Sequence, residues 1–284
     1  MYIFHYDKSF DGLLSAVFDA YARKKFPDRL LVEGEITPLQ AVDSHCVQSG
    51  AEKSLRVYKG LQARLSRRAL GALTLVWLSE EPGNDELMLR YIRKVFDAPK
   101  FMETDLADPD IFAVRQTANK VVCEARLLRG MARFQKTAQG VYFSAIGPKY
   151  NCLTVLAPHF MDRFYGRQWM IYDAKRGYGI FFDGKNCREA FLPEEGRASG
   201  TLRDELLAED EKLFQTLWRG YFNALSIKER VNPQLQRRCM PRRFWPYLTE
   251  KQEEVELMDG VCRRQVRVAS TSSTQAGTTL LAGP

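Results

Sequence analysis

Histidine is scarce in this chain, three in 284 residues, and its six cysteines (Cys46, Cys123, Cys152, Cys187, Cys239 and Cys262) stand far apart with no C-x-x-C pair. Neither zinc nor an iron–sulfur cluster therefore has a local ligand set, and the cysteines are expected to be reduced structural thiols with no metal bound. No apolar run approaches the roughly 20 residues that span a bilayer, and the N-terminus, MYIFHYDKSFDG, has neither the charged region nor the apolar stretch of a signal peptide. The expectation is a cytoplasmic protein with no membrane partner. The sequence also lacks G-x-x-x-x-G-K-[ST], G-x-G-x-x-G after a strand, H-E-x-x-H and G-x-S-x-G, which removes the familiar signatures of nucleotide-dependent enzymes and hydrolases.

What is present is a full apolar core in prospect, since 45% of residues are hydrophobic, and a net charge of +7 that is unevenly spread. Residues 111–136 carry Arg115, Lys120, Arg126, Arg129, Arg133 and Lys136 against Glu124 alone. Residues 219–243 carry Arg219, Lys228, Arg230, Arg237, Arg238, Arg242 and Arg243 against Glu229 alone. These windows hold +5 and +6, so the remainder of the chain is negative by 4. Charge concentrated in this way fits a polyanion-binding surface better than general solubility.

Hydrophobic periodicity organises the chain. MYIFHY reads as a strand, and Phe10–Lys25 as a helix with Ser9 as its N-cap. Residues 29–47 are strand-like and broken by Gly34 and Pro38; Ala51–Phe96 reads as three short helices, with Pro82 suited to a first turn. Residues 107–138 form the longest helix candidate. On it Arg115, Arg126, Arg129, Arg133 and Lys136 fall within an arc of about 80° at 100° per residue, a single basic stripe. The alternative, a solvated face of helical ion pairs, would want acids four residues away, and only Glu124 is available. VYFSAI is a strand, CLTVLAPHFMDRFYG a short helix, and WMIYDAKRGYGIFFDG a hairpin with Asp173 and Arg176 at its turn. PEEGRASGT is a linker, LRDELLAEDEKLFQTLWRGYFNAL an amphipathic helix, and the low-complexity tail after Lys251 is expected to be disordered. The fold class expected is α/β, helix-rich, with a small mixed or antiparallel sheet covered by helices. Domains are expected at 1–100, 101–251 and a tail, 252–284.

Candidate chemistry is sparse. On the short helix His159, Asp162 and Arg163 can share a face, which makes an acid–base pair or a structural ion pair. Asp7 and Asp11 flank the first helix N-terminus, where carboxylates meet the helix dipole. Asp173 sits where a turn displays functional side chains on a rigid scaffold, although an Asx turn explains it equally. Tyr172, Tyr178, Phe181 and Phe182 offer rings to unpaired bases, yet alternation makes half of them core. Trp169 and Trp218 read as core. The segment 228–250 joins six basic residues to Phe244, Trp245 and Tyr247, and its three prolines forbid one continuous helix. It reads as an irregular arm, anchored by a ring and carrying Arg237, Arg238, Arg242, Arg243 and Trp245 toward phosphates.

The strings YDKSFDGLLSAVFDAY, LSEEPGNDELMLRYIR, RLLRGMARFQ, VYFSAIGPKYNCLTVLAPHFMDRF, WMIYDAKRGYGIFFDG and SIKERVNPQLQRRCMPRRFWPYLTE together resemble a bacterial family described as a "probable DNA metabolism protein", whose C-terminal part is a domain of unknown function of the 4130 type. The resemblance spans about residues 1–251. It implies a setting in DNA repair or modification beside a radical SAM protein, with related domains fused to uracil-DNA glycosylases. It supplies no catalytic residues. Radical SAM chemistry needs three closely spaced cysteines, so the iron–sulfur cluster and SAM are expected only in the partner and no cofactor in this chain. Three readings stay open: a DNA-binding accessory protein, with nucleic acid on Arg115, Arg126, Arg129, Arg133, Lys136, Arg176 and the arm; an enzyme acting on a base or nucleotide through His159, Asp162 or Asp173; and a protein–protein adaptor with a basic surface.

Overall fold

The computed structural model describes residues 1–98, 103–192, 202, 204–252 and 254–255. Two compact units emerge: Met1–Ala125 with Lys149–Cys152, and Arg126–Pro148 with the described residues from Leu153 onward. The division thus falls inside a helix, α5 (Pro109–Met131), and not at residue 100. The reason is apolar: Ile111 and Val114 in the first half of α5 belong to the first unit's core. The linker 193–201 and nearly all of the tail lie outside the described residues.

In the first unit β1 (Tyr2–Tyr6) is the middle of a three-stranded parallel sheet, between β2 (Arg29–Val32) and β3 (Asp43–Cys46). All five residues of β1 are buried, the continuous burial of a strand covered on both faces. Around it stand α1 (Phe10–Ala22), α2 (Ala51–Arg64), α3 (Arg67–Ser79) and α4 (Asn84–Asp97). Ser9 caps α1 as its sequence suggests, its Oγ accepting from the Gly12 N–H at 2.8 Å. Pro82 is not in the first turn of α4. Gly83, at φ 82°, is the N-cap and turns the chain into the helix. Phe4, Leu13, Leu61, Leu73 and Met88 fill the core, each burial contributing up to about 1.5–3 kcal/mol. Asp19 ties three elements, accepting from Lys53 at 2.8 Å and pairing with His45 at 3.0 Å.

The second unit holds a five-stranded mixed sheet in the order β4 (Gln135–Lys136), β5 (Tyr142–Ile146), β6 (Trp169–Asp173), β7 (Tyr178–Phe182), β8 (Cys187–Ala190). β5 and β6 are parallel and joined through α6 (Leu153–Arg163); the other pairs are antiparallel. The expected hairpin is β6–β7. The small mixed sheet anticipated from the sequence is therefore this one, and the parallel sheet is a second. α7 (Glu211–Leu225), α8 (Pro233–Cys239) and the 3-10 turns Asp204–Leu206, Lys228–Arg230, Arg242–Tyr247 and Thr249–Lys251 complete the unit.

α5 stops at Met131, so Arg133 and Lys136 do not extend a helical stripe; the chain turns because Gln135 and Lys136 pair with Phe143 and Tyr142 as an edge strand. The helix read from Leu202 begins only at Glu211, because Leu206 accepts from the Ala138 N–H at 3.0 Å and Leu207 bridges Thr137, pinning that stretch to the sheet edge. The arm is less irregular than expected, with Pro233 in the first turn of α8. Its anchoring is as anticipated, Phe244 and Trp245 being 1% and 4% exposed. Trp169 is core, but Trp218 is not, at 37% exposure, and Leu213, Leu217 and Tyr221 of α7 are also exposed.

Among the described residues no helix is long and apolar enough to cross a membrane, and no group of three His, Cys, Asp or Glu could hold a metal ion. Cys46, Cys123, Cys152, Cys187 and Cys239 are free thiols, of which only Cys152 is buried.

Candidate nucleic-acid interface

A cleft of about 730 Å³ opens within the second unit between the end of α5, β4, β5, α6 and α7, a size typical of ligand sites. Its apolar lining is aromatic. Phe134 packs against Phe160 and Phe164 with ring centroids 5.1 and 4.6 Å apart, and Tyr142 lies 5.4 Å from Phe164. Phe214 and Trp218, four residues apart on α7, share one helix face at the rim.

The charges of the cleft are mostly spoken for. Lys136 Nζ reaches Asp210 at 3.3 Å, while Glu211 accepts from the Lys136 N–H at 2.9 Å and from Gln215 Nε2 at 3.1 Å. Arg133 forks onto Glu250, Nη2 donating to Oε1 at 2.6 Å and Nε to Oε2 at 3.1 Å. Trp218 Nε1 donates to the same carboxylate at 2.9 Å, and the Arg133 guanidinium lies 5.1 Å from the indole centroid. Burial pushes the Glu250 carboxyl up, but the hydrogen bonds from Arg133 and Trp218 outweigh it and hold the group below its ordinary range. Arg129 and Arg163 remain. Both are exposed, both line the cleft, and neither has an ion-pair partner among the described residues.

The candidates read from the sequence separate accordingly. Arg129, Arg133 and Lys136 come together in the cleft; Arg126 is exposed in the same unit and Arg115 is exposed in the first. Arg237, Arg238 and Arg242 are exposed with no ion pair among the described residues, and Arg243 is exposed with its guanidinium 4.5 Å from the Phe244 ring. Trp245 is buried and donates Nε1–H to Met240 O at 2.9 Å, a structural anchor. Asp173 is fully buried: Oδ1 accepts from the N–H groups of Lys175 and Arg176, and Oδ2 from Arg176 Nη1 at 2.8 Å. Burial pushes its carboxyl up despite Arg176 and the two amides. Arg176, which also reaches Pro148 O at 3.4 Å, is engaged in this turn and is not displayed. His159 is half-buried with Phe160 edge-on at 5.0 Å, Asp162 is exposed, and no hydrogen bond between them is formed. Arg163, read from the sequence on one face with His159 and Asp162, lines the cleft instead; Phe214, Trp218 and Glu250 were not legible as site residues, because they converge from α7 and the C-terminal turns.

The fold and cleft define an α/β protein whose second unit carries an aromatic, arginine-lined groove. The chain matches the DUF4130 family, a domain of unknown function, over residues 82–250, and it belongs to that family. No curated protein and no solved structure matches it.

Proposed function

We propose that this protein is a DNA-associated accessory protein of DNA repair or modification, binding nucleic acid through its second unit and acting with a radical SAM enzyme in the cytoplasm. The observation that carries the reading is the cleft, in which Arg129 and Arg163 have no ion-pair partner among the described residues and stand beside an aromatic lining. Guanidinium groups left in this state neutralise phosphates, and stacking rings serve nucleotides. The exposed arginines of the arm add further positive charge to the same unit of a chain that is net negative outside its two basic windows. The family resemblance makes DNA the polyanion and assigns the iron–sulfur cluster and SAM to the partner. Binding is favoured over catalysis by this chain because Asp173 is spent on Arg176 and the turn amides, while His159 and Asp162 form no bonded pair.

The test is a DNA titration across salt, with and without the neighbouring radical SAM protein, followed by co-purification of the two. Two phosphate contacts in the cleft give a slope of log K against log salt of at least about −1.4 for single strands or −1.8 for duplex. Absence of salt-dependent binding, alone and in the complex, would overturn the proposal.

A further inference from the structure

We infer that the cleft receives an unpaired nucleotide, so that this protein prefers single-stranded or locally unpaired DNA to intact duplex. The inference rests on the nucleic-acid reading above and sharpens it. In a duplex the faces of the bases are already stacked on one another, and only phosphates and groove edges are offered outward. A protein built for duplex backbone alone needs arginines but no recessed rings.

Here the rings and the arginines share one concavity. Phe214 is 57% exposed and Trp218 37%, on the same face of α7, lining one cleft with the Phe134–Phe160–Phe164 cluster. Trp218 is held in place before any ligand arrives: Glu250 accepts its Nε1–H, and Arg133, itself locked to Glu250, sits over the indole. A platform fixed in this way loses little side-chain entropy when a base stacks on it. Two other charge pairs that face the cleft cancel within the protein, Lys136 with Asp210 and Arg133 with Glu250, while the Glu211 carboxylate is buried and hydrogen-bonded to the Lys136 amide and Gln215. What remains for a ligand is two guanidiniums and a set of π faces. That combination matches a phosphate–base unit freed from the stack.

The experiment compares a fluorescently labelled oligodeoxythymidylate with a blunt duplex of the same length, binding to wild type, Phe214→Ala and Arg163→Ala, each variant first checked for an unchanged melting temperature. The expected result is tighter binding of the single strand by wild type. Phe214→Ala then weakens single-strand binding by about tenfold with no change in salt slope and leaves duplex binding within about twofold. Arg163→Ala lowers the single-strand slope by about 0.7. Equal wild-type affinity for the two DNAs, or equal weakening of both by Phe214→Ala, overturns the unpaired-nucleotide inference while DNA binding itself stands. Failure of wild type to bind either DNA overturns both.

Discussion

Glu250 shows what a single buried carboxylate does in this molecule. Its side chain is 1% exposed and accepts from both Arg133 and Trp218, so its ionised form holds together two residues that line the cleft. Because its folded pKa lies below the unfolded value, the stability it contributes is complete above the ordinary glutamate range, about 4.3, and is lost as pH falls through the depressed folded value. Glu250→Gln removes that charge at nearly constant shape. Urea unfolding of the two proteins should show wild type ahead by about 2 kcal/mol near pH 7 and the difference vanishing in the acid range below pH 4. A difference that stays constant with pH would mean that the carboxylate is not the source. The pair itself was hidden in the sequence, since Arg133 and Glu250 are 117 positions apart. Asp173 and Arg176 are three apart, and one hairpin window was enough to place them at the same turn.

At the scale of elements, local pattern succeeded where a segment's own periodicity decides its state. β1, α1, the three helices of 51–97 and the β6–β7 hairpin were all legible for that reason. It failed where a sheet edge captures the chain, as at Gln135–Lys136 after α5 and at Leu206–Leu207 before α7, because cross-strand pairing overrules helical propensity, with local partners (Phe143 and Tyr142) in the first case and a distant one (Thr137) in the second. The shortened α5 splits the basic stripe into two kinds of arginine. Arg129 lies on the last turn and is exposed; Arg133 lies beyond it and is committed to Glu250. Arg129→Ala should therefore keep the melting temperature and reduce the salt slope of DNA binding by about 0.7–0.9. Arg133→Ala strands a buried carboxylate, which costs about 3 kcal/mol and lowers the melting temperature by about 6–12 °C for a domain of this size. Calorimetry on the two variants separates the roles, and equal melting temperatures would contradict the buried pair.

For the molecule as a whole, the question is whether the C-terminal arm is an appendage or a part of the second unit. Its side chains argue both ways. Phe244, Trp245 and Leu248 are buried, and Tyr247 lies so close to Gly147 that a Cβ there would fall 2.5 Å from its hydroxyl oxygen. The arm is thus seated on the end of β5 and supplies Thr249 to the cleft and Glu250 to Arg133. Arg237, Arg238 and Arg242 are exposed on the same segment, free of ion pairs among the described residues. Truncation at residue 237 would remove anchors and charges together, and its effect on DNA binding would be confounded with unfolding. Replacing Arg237, Arg238 and Arg242 by glutamine removes the charges and keeps the buried anchors, losing only the Arg242 guanidinium that lies 5.7 Å from the Trp245 ring. This variant should melt within about 6 °C of wild type, since each of the three exposed substitutions changes stability by no more than about 0.5 kcal/mol. Its salt slope should fall by about 0.7–0.9 for each arginine that meets a phosphate. A slope equal to that of wild type confines nucleic acid to the cleft and leaves the arm a purely structural strap; a lowered slope makes the arm and the cleft parts of one electrostatic surface within the second unit.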